Sequence, residues 1–122
     1  MKTQKQYLGA FGEDVALQQY LDDQATLLDR NVRYSCGELD LIVRLASGVV
    51  VFVEVKTRRG SAFDSAAAVN NQKMLRMRRA AALWLEGKPY TPIRFDVVAI
   101  VLDPHTGRPG ITVYEDVEHG AR

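Results

Sequence analysis

Asp40, Glu54 and Lys56 are the residues of this chain best suited to chemistry, because they interrupt two apolar strands. Asp40 lies within Gly37-Glu38-Leu39-Asp40-Leu41-Ile42, and Glu54-Val55-Lys56 follows the unbroken run Val49-Val50-Val51-Phe52-Val53. A continuous apolar run marks a strand covered on both faces. Burying a carboxylate there costs several kcal/mol unless it is paired, hydrogen-bonded or bound to metal.

The strands must place these groups. Ala46-Ser47-Gly48 reads as a three-residue hairpin loop with Gly48 in the left-handed position. With side chains alternating, Leu39, Leu41 and Val43 are expected on one face, with Asp40 and Ile42 on the other. Likewise Val51, Val53 and Val55 share a face, opposite Phe52, Glu54 and Lys56. A loop centred on Ser47 pairs Leu41 with Val53 and Leu39 with Val55. It then sets Asp40 against Glu54, and Glu38 against Lys56 as an expected ion pair. Two acids facing each other at roughly 5 Å, with an effective dielectric near 20, repel by about 3 kcal/mol. A divalent cation would reverse that sign, and oxygen donors suit Mg²⁺ or Mn²⁺. Lys56 would point into the same site, where it could hold a phosphate oxygen or lower the pKa of an attacking water. The bland alternative is a solvated sheet end in which Lys56 neutralises one acid.

The pattern D-x(n)-E-x-K across a hairpin resembles the signature of the PD-(D/E)xK nuclease superfamily. The closer resemblance is to the YraN family of small bacterial proteins, which are similar to Holliday junction resolvases. It is carried by Gly12-Glu13-Asp14-Val15-Ala16, by residues 37–42 and 51–58, and by Arg94-Phe95-Asp96-Val97-Val98. The resemblance implies a restriction-endonuclease-like α/β fold, a central mixed sheet flanked by helices in the order αβββαββ. It also implies a metal-dependent endonuclease acting on branched or flapped DNA in repair or recombination. Asp40 and Glu54 would hold one or two Mg²⁺ or Mn²⁺, the Val55 carbonyl would be a further ligand, and Lys56 would act on the reacting phosphate. Glu13 would be a third acid, direct or through water, although an exposed acid is an equal reading. Resolvases commonly act as dimers, so a homodimer is an implied partner. The alternative is a nucleic-acid-binding module with this fold and little or no catalysis, working with a repair partner.

Net charge is +1, so any DNA affinity must come from local clustering. Arg58, Arg59, Lys73, Arg76 and Arg79 are the candidate phosphate contacts. Gln72, Arg76 and Arg79 share one helical face, and Met74, Met77, Ala81, Trp84 and Leu85 supply the apolar side. A solvated basic helix face is the bland alternative. The resembled families carry a glutamine just after the lysine of this helix; Met74 stands there. Gln72 is displaced by two positions, a turn of about 200°, which leaves Lys73 as a candidate substitute.

A chain of 122 residues, 47% hydrophobic and 25% charged, is expected to form a single domain. Cys36 is the sole cysteine, which excludes an internal disulfide. With no apolar run of membrane-spanning or signal-peptide type, a cytoplasmic protein is expected. An amphipathic helix is predicted over 5–22, with Tyr7, Leu8, Phe11, Val15 and Leu21 near its buried face and Ala16 and Leu17 beside it. Strands are predicted over 27–34, near a sheet edge, and over 37–45, 49–57, 93–102 and 111–114. A loop over 58–70 leads to a second helix over 71–86, capped by Asn70 and closed by Gly87. Residues 115–122 are expected to fray. Asp96 has a sufficient partner in Arg94, and His105 and His119 are too isolated for a zinc site.

Overall fold

The computed structural model describes residues 2–60 and 71–118. The expected cap at Asn70 and most of the 58–70 loop lie outside them. The elements are α1 (Gln4–Asp22), β1 (Thr26–Tyr34), β2 (Gly37–Arg44), β3 (Val50–Arg59), α2 (Asn71–Leu85), β4 (Ile93–Leu102) and β5 (Pro109–Tyr114). This is the predicted order. The strands form one mixed five-stranded sheet, β1-β2-β3-β4-β5, antiparallel except for β3 beside β4. β1 is an edge strand, as its polar sequence implies. A crossover through α2 is what allows β3 and β4 to run parallel.

The helices cover opposite faces, which explains the unbroken apolar runs of β3 and β4. On the α1 face, Ala16 and Tyr20 pack with Leu41, Val43, Val51, Val53, Val98 and Ile100. On the α2 face, Met74, Met77, Ala80 and Ala81 pack with Leu39, Ile42, Phe52 and Phe95. The alternation predicted for β3 therefore holds. The loop between β2 and β3 closes as expected, with Gly48 at φ +95° and its N–H donating to the Leu45 carbonyl at 2.8 Å.

The buried stripe of α1 differs from the expected one. Gly12, Ala16 and Tyr20 face the sheet, four residues apart, with the expected Leu8, Val15 and Leu17 packed partly buried beside them, while Tyr7, Phe11 and Leu21 are substantially exposed. Close approach selects small residues here: a Cβ on Gly12 would lie 1.8 Å from Thr57 Oγ1 on β3. Tyr20 carries its polar end inward. Its hydroxyl donates to Asp96 Oδ2 at 2.8 Å, and Arg94 donates to both Asp96 oxygens at 2.9 Å. The Asp116 N–H donates to Oδ1 at 3.0 Å, so the wholly buried Asp96 is saturated with donors. Its partners give it a structural role, as the Arg94 pairing implies. Of the tail expected to fray, residues 119–122 lie outside the described residues; in 115–118 the Val117 N–H donates to the Phe95 carbonyl at 2.9 Å, and Glu118 meets Arg78 at 3.5 Å.

Candidate functional site

The two acids converge at a place where the hairpin opens. The β2–β3 ladder pairs Arg44 with Val50, Val43 with Val51, Ile42 with Phe52 and Leu41 with Val53, as predicted, and stops there. Asp40 then takes the Val55 N–H on its own carboxylate, at 2.8 Å. The expected pairing of Leu39 with Val55, which would set Asp40 directly opposite Glu54, is replaced by this side-chain bond. The face assignment of Leu39 also changes. Leu39 packs on the α2 side while Leu41 packs on the α1 side, so the chain switches faces at Asp40.

The neighbouring strand makes the same adjustment. Arg30 pairs with Leu41 and contacts α1, whereas Val32 pairs with Leu39 and packs toward α2. Between them, Asn31 adopts the left-handed region at φ +53°, a conformation that asparagine tolerates better than most residues. This joint switch frees the Asp40 carboxylate to reach across toward β3.

The electrostatics follow from that position. Burial first, then the Glu54 carboxylate, pushes the Asp40 pKa up to about 7, and Glu13 adds to the rise; the Val55 N–H and Lys73 oppose it. Glu54 is buried, on the α2 face with Phe52 as predicted. The Lys73 ammonium lies 2.6 Å from Glu54 Oε1, and Lys56 lies 3.9 Å from the same oxygen. The proximity of Lys73, followed by burial, lowers the Lys56 pKa. For Lys73, burial pulls the pKa down, but Glu54 and the other partners outweigh it and the net direction is up.

Beside these groups is a cleft of about 470 Å³, walled by Tyr34, Cys36, Asp40, Glu54, Lys73 and Arg76 among others. Its narrow floor depends on Gly37, where a Cβ would come within 2.8 Å of the Arg76 carbonyl oxygen on α2. That glycine at the head of the motif is the sequence signal for the cleft. Lys56 touches Glu54 but does not line the cleft.

Other expected residues are placed as follows. Glu13 is held by Arg30, 3.6 Å away, and also accepts from Asn31; burial raises its pKa, and Arg30 offsets part of the rise. Glu38 does not pair with Lys56. It is exposed and meets Arg33 at 3.8 Å, because the hairpin has opened before reaching it. Arg58, Arg59 and Arg79 are exposed outside the cleft lining, and Arg76 lies within it. Met74, at the glutamine position of the resembled families, is buried in the α2 core, and Gln72 is exposed.

Among the described residues, no three His, Cys, Asp or Glu side chains gather closely enough to hold a metal ion. The donors near the opening still suit a hard cation. Mg²⁺ is commonly held by one or two carboxylates, with water and substrate phosphate completing its shell. Asp40 and Glu54 supply two carboxylates. A strand residue directs its N–H and C=O to the same side, so the Val55 carbonyl faces the gap into which its N–H points.

Fold and site together define a small mixed α/β protein with an acid–lysine cleft at an opened hairpin. The chain belongs to the family described as Uncharacterised protein family UPF0102, whose pattern matches residues 12–100. It is 98% identical over 122 residues to a UPF0102 protein of Corynebacterium glutamicum, covering all of both chains. A UPF0102 protein of Corynebacterium efficiens is 52% identical, again over the whole of both chains. A third, from Corynebacterium diphtheriae, is 48% identical over 119 residues, covering 98% of this chain and 97% of the relative. No helix among the described residues is long and apolar enough to cross a membrane.

Proposed function

We propose that this protein is a metal-dependent phosphodiesterase of the PD-(D/E)xK type, with a restriction-endonuclease-like core, acting on DNA. One observation carries the reading: Asp40 leaves the strand ladder to stand beside Glu54, with two lysines within 4 Å of the Glu54 carboxylate. Holding acids together within buried strands costs stability, and the single backbone donor that Asp40 satisfies offsets only part of that cost.

Asp40, Glu54 and the Val55 carbonyl would hold Mg²⁺ or Mn²⁺, which when bound supplies Lewis acidity toward the phosphate and an acidified water. The Val55 N–H fixes one Asp40 oxygen, so the carboxylate presents the other in a set direction. Lys56, whose ammonium lies 3.9 Å from Glu54, is suited to hold a phosphate oxygen and to lower the pKa of the attacking water, whose proton passes to solvent. As the water oxygen bonds to phosphorus, one phosphodiester P–O bond breaks and its electron pair leaves with the departing oxygen. Arg76, in the cleft, would position the strand. Branched DNA, a repair or recombination setting and dimerisation rest on resemblance to resolvases.

A second reading is a binding module without catalysis. The Lys73–Glu54 contact of 2.6 Å favours it, since an ammonium already neutralises the acid. Linear, flapped and four-way DNA incubated with and without Mg²⁺ or Mn²⁺ decides between them. The nuclease reading requires cleavage by the wild type and none by Asp40→Asn. Metal-independent binding without cleavage would favour the module.

A further inference from the structure

We propose that Lys73 is a tethered cation that competes with the divalent metal for Glu54 and so limits how readily the site loads. The inference rests on the metal-dependent reading above. The Lys73 ammonium lies 2.6 Å from Glu54 Oε1, the carboxylate that a metal would need, and Asp40 also feels its charge. A divalent ion and this ammonium cannot share the oxygen at that distance without strong repulsion.

The helix fixes where the lysine starts and where it can go. Met74 and Met77 are buried, so the backbone of α2 is anchored beside the site. The side chain is held by its ion pair with Glu54, but a lysine is a point charge on a flexible four-carbon stem that can exchange one counterion for another. Arg76, one turn further along α2, lines the same cleft. A displaced Lys73 would therefore remain near an arriving phosphate, which gives the ammonium a new counterion. Lys73 thus neutralises Glu54 at rest and makes metal loading easier when a phosphodiester is present. The opposing possibility is that Lys73 supports Glu54 in its ligand geometry, in which case removing it would weaken metal binding.

Calorimetric titration of wild type, Lys73→Met, Lys73→Arg and Asp40→Asn with Mn²⁺ separates the two. Lys73→Met should bind roughly tenfold tighter than wild type, and Lys73→Arg, which keeps the charge, should stay near the wild-type value. If Lys73→Met fails to fold, the wild-type protein still answers the question. The NMR signal of the Lys73 ammonium should be protected from exchange without metal and lose that protection on adding Mg²⁺. Equal or weaker binding by Lys73→Met, or an ammonium signal unchanged by saturating Mg²⁺, overturns the inference. The metal reading survives that result if wild type binds Mn²⁺ and Asp40→Asn does not. If neither wild type nor Lys73→Met binds, both fall.

Discussion

The Asp40 carboxylate accepts the Val55 N–H at 2.8 Å, where backbone pairing of β2 and β3 would otherwise continue. A side chain thereby replaces a ladder bond, and the strands part at the two acids. The arrangement satisfies one backbone donor while holding a carboxylate in a place that resists its ionisation.

That resistance has a pH signature. The Asp40 pKa is about 7 in the fold against an ordinary value of 3.8, so the folded chain binds more protons than the unfolded one between those limits. This contribution to stability is complete below about pH 4 and is lost as pH rises through 7. Without metal, Asp40→Asn should match wild type near pH 3 and exceed it at pH 8, by on the order of a few kcal/mol. Urea unfolding at both values checks this; equal pH profiles for the two proteins would refute it.

Metal should stabilise the wild type by mass action, by about 2.7 kcal/mol at a hundred times its dissociation constant. The gain should be larger at pH 8 than at pH 5.5, because cation and proton compete for Asp40. Thermal melts with millimolar Mg²⁺ or Mn²⁺ read the shift, and Asp40→Asn should lose most of it. The same shift in both proteins would indicate nonspecific ion binding.

Gly12 should tolerate no larger residue unless Thr57 also changes. Gly12→Ala drives a Cβ against Thr57 Oγ1 and should destabilise by about 1–3 kcal/mol. Thr57→Ala in the same chain should recover part of the loss, the remainder persisting because the Thr57 Cβ itself would lie 2.9 Å from the new methyl group. Purely additive effects in a double-mutant cycle would contradict the close α1–β3 contact.

Asp96 should behave as structure rather than catalyst. Asp96→Ala leaves Arg94 and the Tyr20 hydroxyl without their shared acceptor and should cost about 3–5 kcal/mol. Its effect on metal affinity, measured at a temperature where the variant is folded, should be small. A large and selective loss of metal binding would move Asp96 into the site.

Much of this architecture is legible in the sequence, because hydrophobic period and turn chemistry agree. The runs 49–53 and 93–102 require cover on two faces, and Gly48 sets the hairpin register. The helical stripe of α1 is legible only in part: Leu8, Val15, Ala16 and Leu17 are found from the pattern, but Gly12 faces the sheet by being small and Tyr20 by its polar end, while Tyr7 and Phe11 look like core and are not. Strict alternation also misplaces Leu39. The face switch depends on Asn31 in a left-handed conformation and on a backbone bond to Asp40, neither of which a period-two pattern contains. Lys73 reads as a phosphate contact from its helix, but its partner is a carboxylate 19 positions earlier, which only the crossover brings near.

In the proposed nuclease, Lys56 works on a reacting phosphate while α2 arginines position the strand. The most direct test measures cleavage of branched DNA in Mn²⁺ and gel-shift binding in Ca²⁺ for wild type, Lys56→Ala, Arg76→Ala and Arg79→Ala. Lys56→Ala should abolish cleavage and keep most affinity. Each arginine change should weaken binding and flatten its salt dependence by roughly one phosphate contact. Undiminished cleavage by Lys56→Ala would exclude this role for the lysine, and a wild type that cleaves no DNA in either Mg²⁺ or Mn²⁺ would exclude the nuclease.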